Sequence, residues 1–242
     1  MIIHDYTQNI EDFELYVRGK LTSVGLIEGA DSHLLKKILY VTFIDSIAAC
    51  VYPGKGNRER FVETINRFSH WEDQDRISIT HISRYAYSTS DPVFEKTRNY
   101  VQPILDAWKA RAGDYILISE DPLITDEAIK PALWKRDKES LVNFAPQDFS
   151  HGALLYKMRN ALVHQFQSNA NNLLPSAPNT PFYQVVSNLE RDPLEIELVY
   201  PSAFLKSIAE SVLNNVIEYF KRGNINPFPH YYSGSYLVNE LN

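Results

Sequence analysis

A single cysteine in 242 residues excludes an internal disulfide, and Cys50 has no Cys or His at metal-ligand spacing beside it. Lying inside the apolar run FIDSIAACVYP, it reads as a buried, reduced thiol. No stretch approaches the roughly 18 apolar residues that a membrane-spanning helix needs. The first residues, MIIHDYTQNIEDF, lack a basic segment followed by a long apolar run, so no signal peptide is expected. A soluble, cytoplasmic protein with no membrane partner is the expectation. Basic residues are in deficit as well: 24 Lys and Arg against 30 Asp and Glu leave a net charge of −6. That balance argues against a broad grip on duplex DNA, which needs a strongly positive surface, while leaving room for a small basic cleft. Gly54, Lys55 and Gly56 lack Walker spacing, and no Gly-x-Ser-x-Gly or Ser-His-Asp arrangement occurs. His70, Glu72, Asp73, Asp75 and His81 crowd one stretch but fit no metal-ligand spacing, so neither a metal nor a cofactor is expected.

What remains is helical periodicity in an ordinary globular composition, 44% hydrophobic and 22% charged. Residues 9–23 form an amphipathic stretch with Asn9 as its cap. Asp31-Ser32 opens a helix that Pro53-Gly54 ends; it is apolar almost all round and should lie centrally. A third helix starts at about Asn57. Residues 75–89 are ambiguous, since RISIT alternates like a strand while Ile82, Tyr85 and Ala86 suit a helix. Asp91-Pro92 starts a helix that runs to about Arg111. YILIS is a short strand or buried turn, and a short helix interrupted by Pro131 is expected at 125–135. Asn-rich, proline-broken residues 167–182 form a loop. FYQVVS and LEIELVYP flank NLERDP as a β-hairpin, and a long helix from Ser202 stops at Gly223. No repeat and no long linker interrupts the chain. The expectation is therefore a mostly α helical bundle over residues 1–242. Within it lie a loop and hairpin insertion at about 167–200, the hairpin itself near 182–200, and an aromatic tail at 223–242.

One helix departs from economy. ALLYKMRNALVHQF, 153–166, in a helix expected to begin near Asp148, carries Arg159, Asn160 and His164 where apolar side chains would pack more simply. At about 100° per residue, Leu154, Leu155, Met158, Ala161, Leu162 and Gln165 fall on one side as the core stripe. Phe149, Tyr156 and Val163 recur every seven residues on another side, so a second buried face is expected, covered by the chain itself or by a second copy. Asn160 lies one turn before His164, and Arg159 is about 140° round from it, near enough for a long side chain to lean across. The polar trio would sit at the rim of that seam. An imidazole titrates near neutrality and moves protons. A guanidinium offers a fork of donors to phosphate oxygens and stabilises charge building on them. On the residues alone the stretch reads as an anion site with a base, or as a histidine and an arginine satisfied by neighbouring carbonyls and carboxylates.

RNALVH, Arg159 to His164, resembles the Arg-x4-His motif of the HEPN superfamily of α-helical domains, including the polar residue directly after the arginine. The run at 43–65 is similar to a helix-loop-helix of some HEPN-like bacterial proteins. The resemblance covers the helical body, about 5–165 with the helix at 201–222, and leaves the hairpin and tail as additions. It implies a HEPN-like, metal-independent endoribonuclease acting as a homodimer through the 148–166 helix, with RNA as substrate. His164 would serve as acid or base, Arg159 would stabilise the transition state, and Asn160 would orient His164 or the phosphate. The product would be a 2′,3′-cyclic phosphate. A toxin or antiviral defence effector, with an antitoxin or regulatory protein as partner, fits that class.

Around this trio, Asp45 inside an apolar helix needs a partner, and Arg159 could be it; Asp45 and Tyr156 are supporting candidates, the alternative for Asp45 being an ordinary capped or semi-exposed carboxylate. Lys55, Arg58 and Arg60 could form a basic lip for RNA, or simply be solvated charges at a helix start. Two further readings stay open: a non-catalytic HEPN-like module that binds a nucleotide, RNA or protein, and a plain helical interaction protein in which the motif is chance.

Overall fold

Alternation of apolar and charged residues at three-to-four spacing gives the first helix, α1 (Thr7–Gly25), one inward face: Ile10, Phe13, Val17, Leu21 and Val24. In this computed structural model, which describes residues 5–111, 113–126, 145–166, 177–188 and 191–231, the internal contacts separate into two compact units. The first is drawn from within Met1–Trp71, Arg159–Phe166 and Leu205–Asn242, the second from within Glu72–Met158 and Gln167–Phe204.

The first unit is built of helices, with no strand among its described residues. It holds α1, α2 (Ser32–Val51), α3 (Asn57–Phe68), the end of α6 (His151–Gln165) and most of α7 (Ser202–Gly223). The expected near-total apolarity of α2 has its reason here, for Tyr40, Val41, Ile44, Ile47, Ala48 and Val51 are all buried. Helix α7 adds Ala209, Val212, Leu213, Val216 and Phe220, and Leu162 of α6 joins the buried set. Aromatic edges close one end: the Phe13 ring meets Phe220 at 6.1 Å, Phe228 at 5.7 Å and Tyr231 at 5.1 Å. The described part of the aromatic tail thus packs on its own chain. Helix α7 ends at Gly223, as expected. Asn224 takes the left-handed conformation, φ 46°, and the Ile225 amide bonds back to the Phe220 carbonyl at 3.0 Å, a Schellman-type ending.

The second unit sets helices against a small antiparallel sheet. The ambiguous segment resolves into helix α4 (Ile79–Tyr87), while Arg76 and Ile77 make only isolated bridges to Leu123 and Ser150. Asp91 caps as expected, its carboxylate accepting from the Val93 amide at 2.9 Å, and α5 (Glu95–Lys109) follows. Strand β1 (Tyr115–Leu117) pairs with β2 (Phe182–Asn188), which pairs in turn with β3 (Arg191–Val199). The expected hairpin is therefore present, extended by a third strand from YILIS. Arg98 ties the α4–α5 connection by donating to the carbonyls of Ala86, Thr89 and Asp91. The short helix expected at 125–135 lies almost wholly outside the described residues. No helix among the described residues is long and apolar enough to cross a membrane.

Candidate functional site

Helix α6 begins at His151, later than expected. Pro146–Phe149 forms a separate 3-10 turn, because proline fixes the first φ and Ser150 is extended between the two elements. Phe149 consequently leaves the seven-residue stripe assigned to it; it is buried in the second unit beside Tyr85, ring centroids 5.5 Å apart. The remaining members of that stripe, Tyr156 and Val163, are half-buried rather than enclosed. The trio is not uniformly at a rim either: Arg159 and Asn160 are half-buried, whereas His164 is exposed, as are Gln165 and Phe166 behind it.

Arg159 is held on two sides. Its Nη2 donates to Asp45 Oδ2 at 2.5 Å and its Nη1 to Asn160 Oδ1 at 3.0 Å. Asp45 comes from the middle of α2, where a carboxylate without a partner would be strongly disfavoured, and it is 8% exposed. A second cation approaches loosely, Arg60 Nη2 standing 3.8 Å from Asp45 Oδ1. The cluster is incompletely satisfied. Asp45 Oδ1, Arg60 Nε and Arg159 Nε are all buried without a hydrogen-bond partner among the described residues. Beside it lies a cavity of about 230 Å³ lined by Asp45, Ser46, Ala49, Arg60, His230 and Tyr231. His230 and Tyr231 come from the tail, and nothing in their local pattern marked them. Burial pushes the Tyr231 hydroxyl up to about 12 and the nearby Cys50 thiol likewise up to about 12, so neither is a base or nucleophile at neutral pH.

The three basic residues of the expected lip are used separately. Lys55 binds Glu63 and Glu59, and its pKa is raised first by the Glu63 hydrogen bond. Arg60 turns toward Asp45, while Arg58 is exposed. His164 makes no hydrogen bond or ion pair among the described residues. Phe166, directly after the helix, holds φ 53° and is 67% exposed, an apolar side chain in left-handed backbone at the motif's end.

The second unit contains a polar cluster that the sequence did not reveal. Asp121 and His151 are completely buried, with His151 Nε2 2.7 Å from Asp121 Oδ2. Tyr200 Oη lies 3.0 Å from His151 Nδ1, and Tyr183 Oη lies 2.6 Å from Asp121 Oδ2 and 2.7 Å from Ser78 Oγ. Asp121 Oδ1 accepts from the Ile79 amide at 3.0 Å, which satisfies the start of α4. Ser78 and Thr80 hydroxyls then reach His81 Nδ1 at 2.9 and 3.2 Å. Burial, and after it the charge of Arg84, drives His81 down to about 3, so its ring is neutral. Both tyrosine hydroxyls are pushed well up by burial first and Asp121 second. Neither Asp121 nor His151 is exposed to solvent, and the network ties α4, α6, β2 and the residue after β3 together. Among the described residues no group of three or more His, Cys, Asp or Glu is placed to hold a metal ion. Comparison with protein-family models, curated proteins and solved structures found no match.

Proposed function

We propose that the unit carrying Arg159 is a HEPN-type endoribonuclease that cuts RNA without a metal ion. The observation supporting it is the division of labour on one helix end: Arg159 is fixed by Asp45 and Asn160 beside a polar cavity, while His164 stays exposed with no described partner. A preorganised cation and an open imidazole are what phosphodiester transesterification requires. His164 takes the proton of the RNA 2′-hydroxyl. The 2′-oxygen attacks phosphorus, the bond from phosphorus to the 5′-oxygen breaks, and a proton is delivered to that leaving oxygen. Charge on the five-coordinate phosphorus is met by Arg159, whose Nε has no acceptor of its own. The products are a 2′,3′-cyclic phosphate and a 5′-hydroxyl.

Arg159 lies about 140° round α6 from His164 and, rather than leaning across, is held by Asp45 and Asn160, so one copy does not point both at a single phosphate. The proposal therefore includes a homodimer through the last turns of α6, where Val163 is half-buried and Phe166 exposed, placing the two motifs opposite each other. Asn160 orients the arginine, and Asp45 is the supporting carboxylate. A cytoplasmic toxin or defence effector restrained by a partner protein fits an enzyme of this kind.

The test is incubation of end-labelled total RNA in EDTA with wild type, His164→Ala and Arg159→Ala. Wild type is expected to leave cyclic phosphate ends, and each variant to cut at least about 100-fold more slowly. Absence of cleavage by a dimeric wild type would reject the catalytic reading. A binding module, the second reading, is favoured by one fact: Arg159 is already neutralised by Asp45. It is then the reading left standing, and RNA retention that is sensitive to Arg159→Ala would mark it.

A further inference from the structure

A separate cavity of about 300 Å³ opens in the second unit, walled by α4, α5 and β3. Two of its wall residues are hydroxyls almost removed from solvent, Thr80 at 4% and Ser83 at 5% exposure. Thr80 is engaged with Ser78 and His81. Ser83 makes no hydrogen bond among the described residues, and its hydroxyl is not one of the buried polar atoms left unsatisfied, so it is open to whatever fills the cavity it lines.

Two cations share the same wall. Arg84 donates one Nη2 bond to the Ile196 carbonyl at 3.0 Å and meets no carboxylate among the described residues. Lys109, at the last residue of α5, is half-buried and has no ion pair among the described residues. The Arg84 charge is felt by the neighbouring His81, whose protonation it opposes in addition to burial. Glu195, the acid of the lining among the described residues, is exposed on β3 and makes no ion pair with them, while Leu105 and Ile196 contribute apolar surface. Lys109 and Glu195 therefore do not neutralise each other, and each is left to a ligand.

The geometry points to a binding site for a phosphate ester carried on a sugar. Arg84 offers a planar fork and Lys109 a compact charge to phosphate oxygens, with the Ser83 hydroxyl as a further donor. Glu195 accepts from neighbouring sugar hydroxyls, the role an acidic residue plays toward a ribose. Leu105 and Ile196 take the apolar face of the ring. A simple carboxylate would leave Glu195 unused, and an inorganic anion would leave both Glu195 and the apolar surface unused. The cavity lies at the small end of the range for ligand pockets and suits a body of pentose phosphate size. This inference is independent of the ribonuclease reading, since all its residues lie in the second unit.

Isothermal titration of the full chain with ribose 5-phosphate, AMP, inorganic phosphate and ribose tests it. Saturable binding of ribose 5-phosphate, AMP or both is expected, about tenfold or more tighter than inorganic phosphate or ribose alone. Tighter binding of AMP than of ribose 5-phosphate identifies a nucleotide as the source; the reverse identifies a sugar phosphate. Lys109→Ala should weaken the sugar phosphates about tenfold, and Ser83→Ala by a smaller factor. Glu195→Gln should weaken them while leaving inorganic phosphate unchanged. All three variants are first required to melt as the wild type does, which their wall positions allow. Failure of both sugar phosphates to saturate, or affinity that survives in folded Lys109→Ala and Ser83→Ala, overturns the site.

Discussion

Two aspartates, Asp45 and Asp121, are buried among apolar helices of the two units, and they are treated in opposite ways. Asp121 is fully satisfied: His151, Tyr183 and the Ile79 amide all hydrogen-bond to it, and solvent reaches neither Asp121 nor His151. Asp45 has one firm partner, Arg159, and one distant one, Arg60, and three atoms of that cluster go without hydrogen bonds beside a cavity. The contrast teaches how an Asp with a basic partner is to be interpreted. A complete, sealed network specifies structure, because nothing in it is left to engage a ligand. An incomplete one at a cavity holds unspent donors and acceptors, and that is where chemistry can be done. A buried Asp–His–Tyr arrangement looks more like an active site on paper, yet by this criterion it is the keystone, and the untidier cluster is the candidate site.

The comparison breaks most directly at Asp121. Asp121→Ala leaves His151, the Tyr183 hydroxyl and the Ile79 amide without their acceptor, and a loss of about 3–5 kcal/mol is expected in a urea titration. A shift below about 1 kcal/mol would mean that the network is not structural. Acid should act on the same network through His81. Its folded pKa, about 3, lies below the unfolded value, so the neutral ring is favoured by folding. Stability is then intact above about pH 6.5 and is lost as pH falls from there toward 3, because only the unfolded chain takes up the proton readily. The difference between wild type and His81→Gln should change by about 1.4 kcal/mol per pH unit below pH 6.5, reaching about 2 kcal/mol at pH 5. Parallel curves for the two proteins would refute it. The smallest effect is expected at the unfinished cluster. Asp45→Asn should lower stability by about 1–2 kcal/mol, and adding Arg159→Gln should cost less than the sum of the singles. Strict additivity, or a loss as large as that at Asp121, would erase the distinction between the two aspartates.

Legibility in the sequence followed the range of the interactions. The hairpin, the Asp91 cap and the courses of α2 and α5 could be read because period and capping act within a few residues. The separation of Pro146–Phe149 from α6 was missed, although Pro146 carried the signal, because the apolar pattern continued through the break. That Asp45 needs a partner could also be argued from one helix, since a carboxylate among apolar neighbours must be answered. The answering cavity residues His230 and Tyr231 could not, as they arrive from a tail without periodicity. Asp121 and His151 carry no local signal either: Asp121 sits between a 3-10 turn and Pro122, and His151 falls in the first turn of a helix expected from about Asp148.

By itself, then, the sequence determined a mostly helical chain with a small hairpin and put Arg159, Asn160 and His164 on one helix at fixed angular offsets, since helix geometry depends only on nearest turns. Tertiary structure alone decided that Arg159 meets an aspartate 114 positions away, that His164 faces solvent, and that one Asp network is closed while the other is open. Pairing and burial of charge are set by which distant segments pack together, and no local pattern encodes that choice.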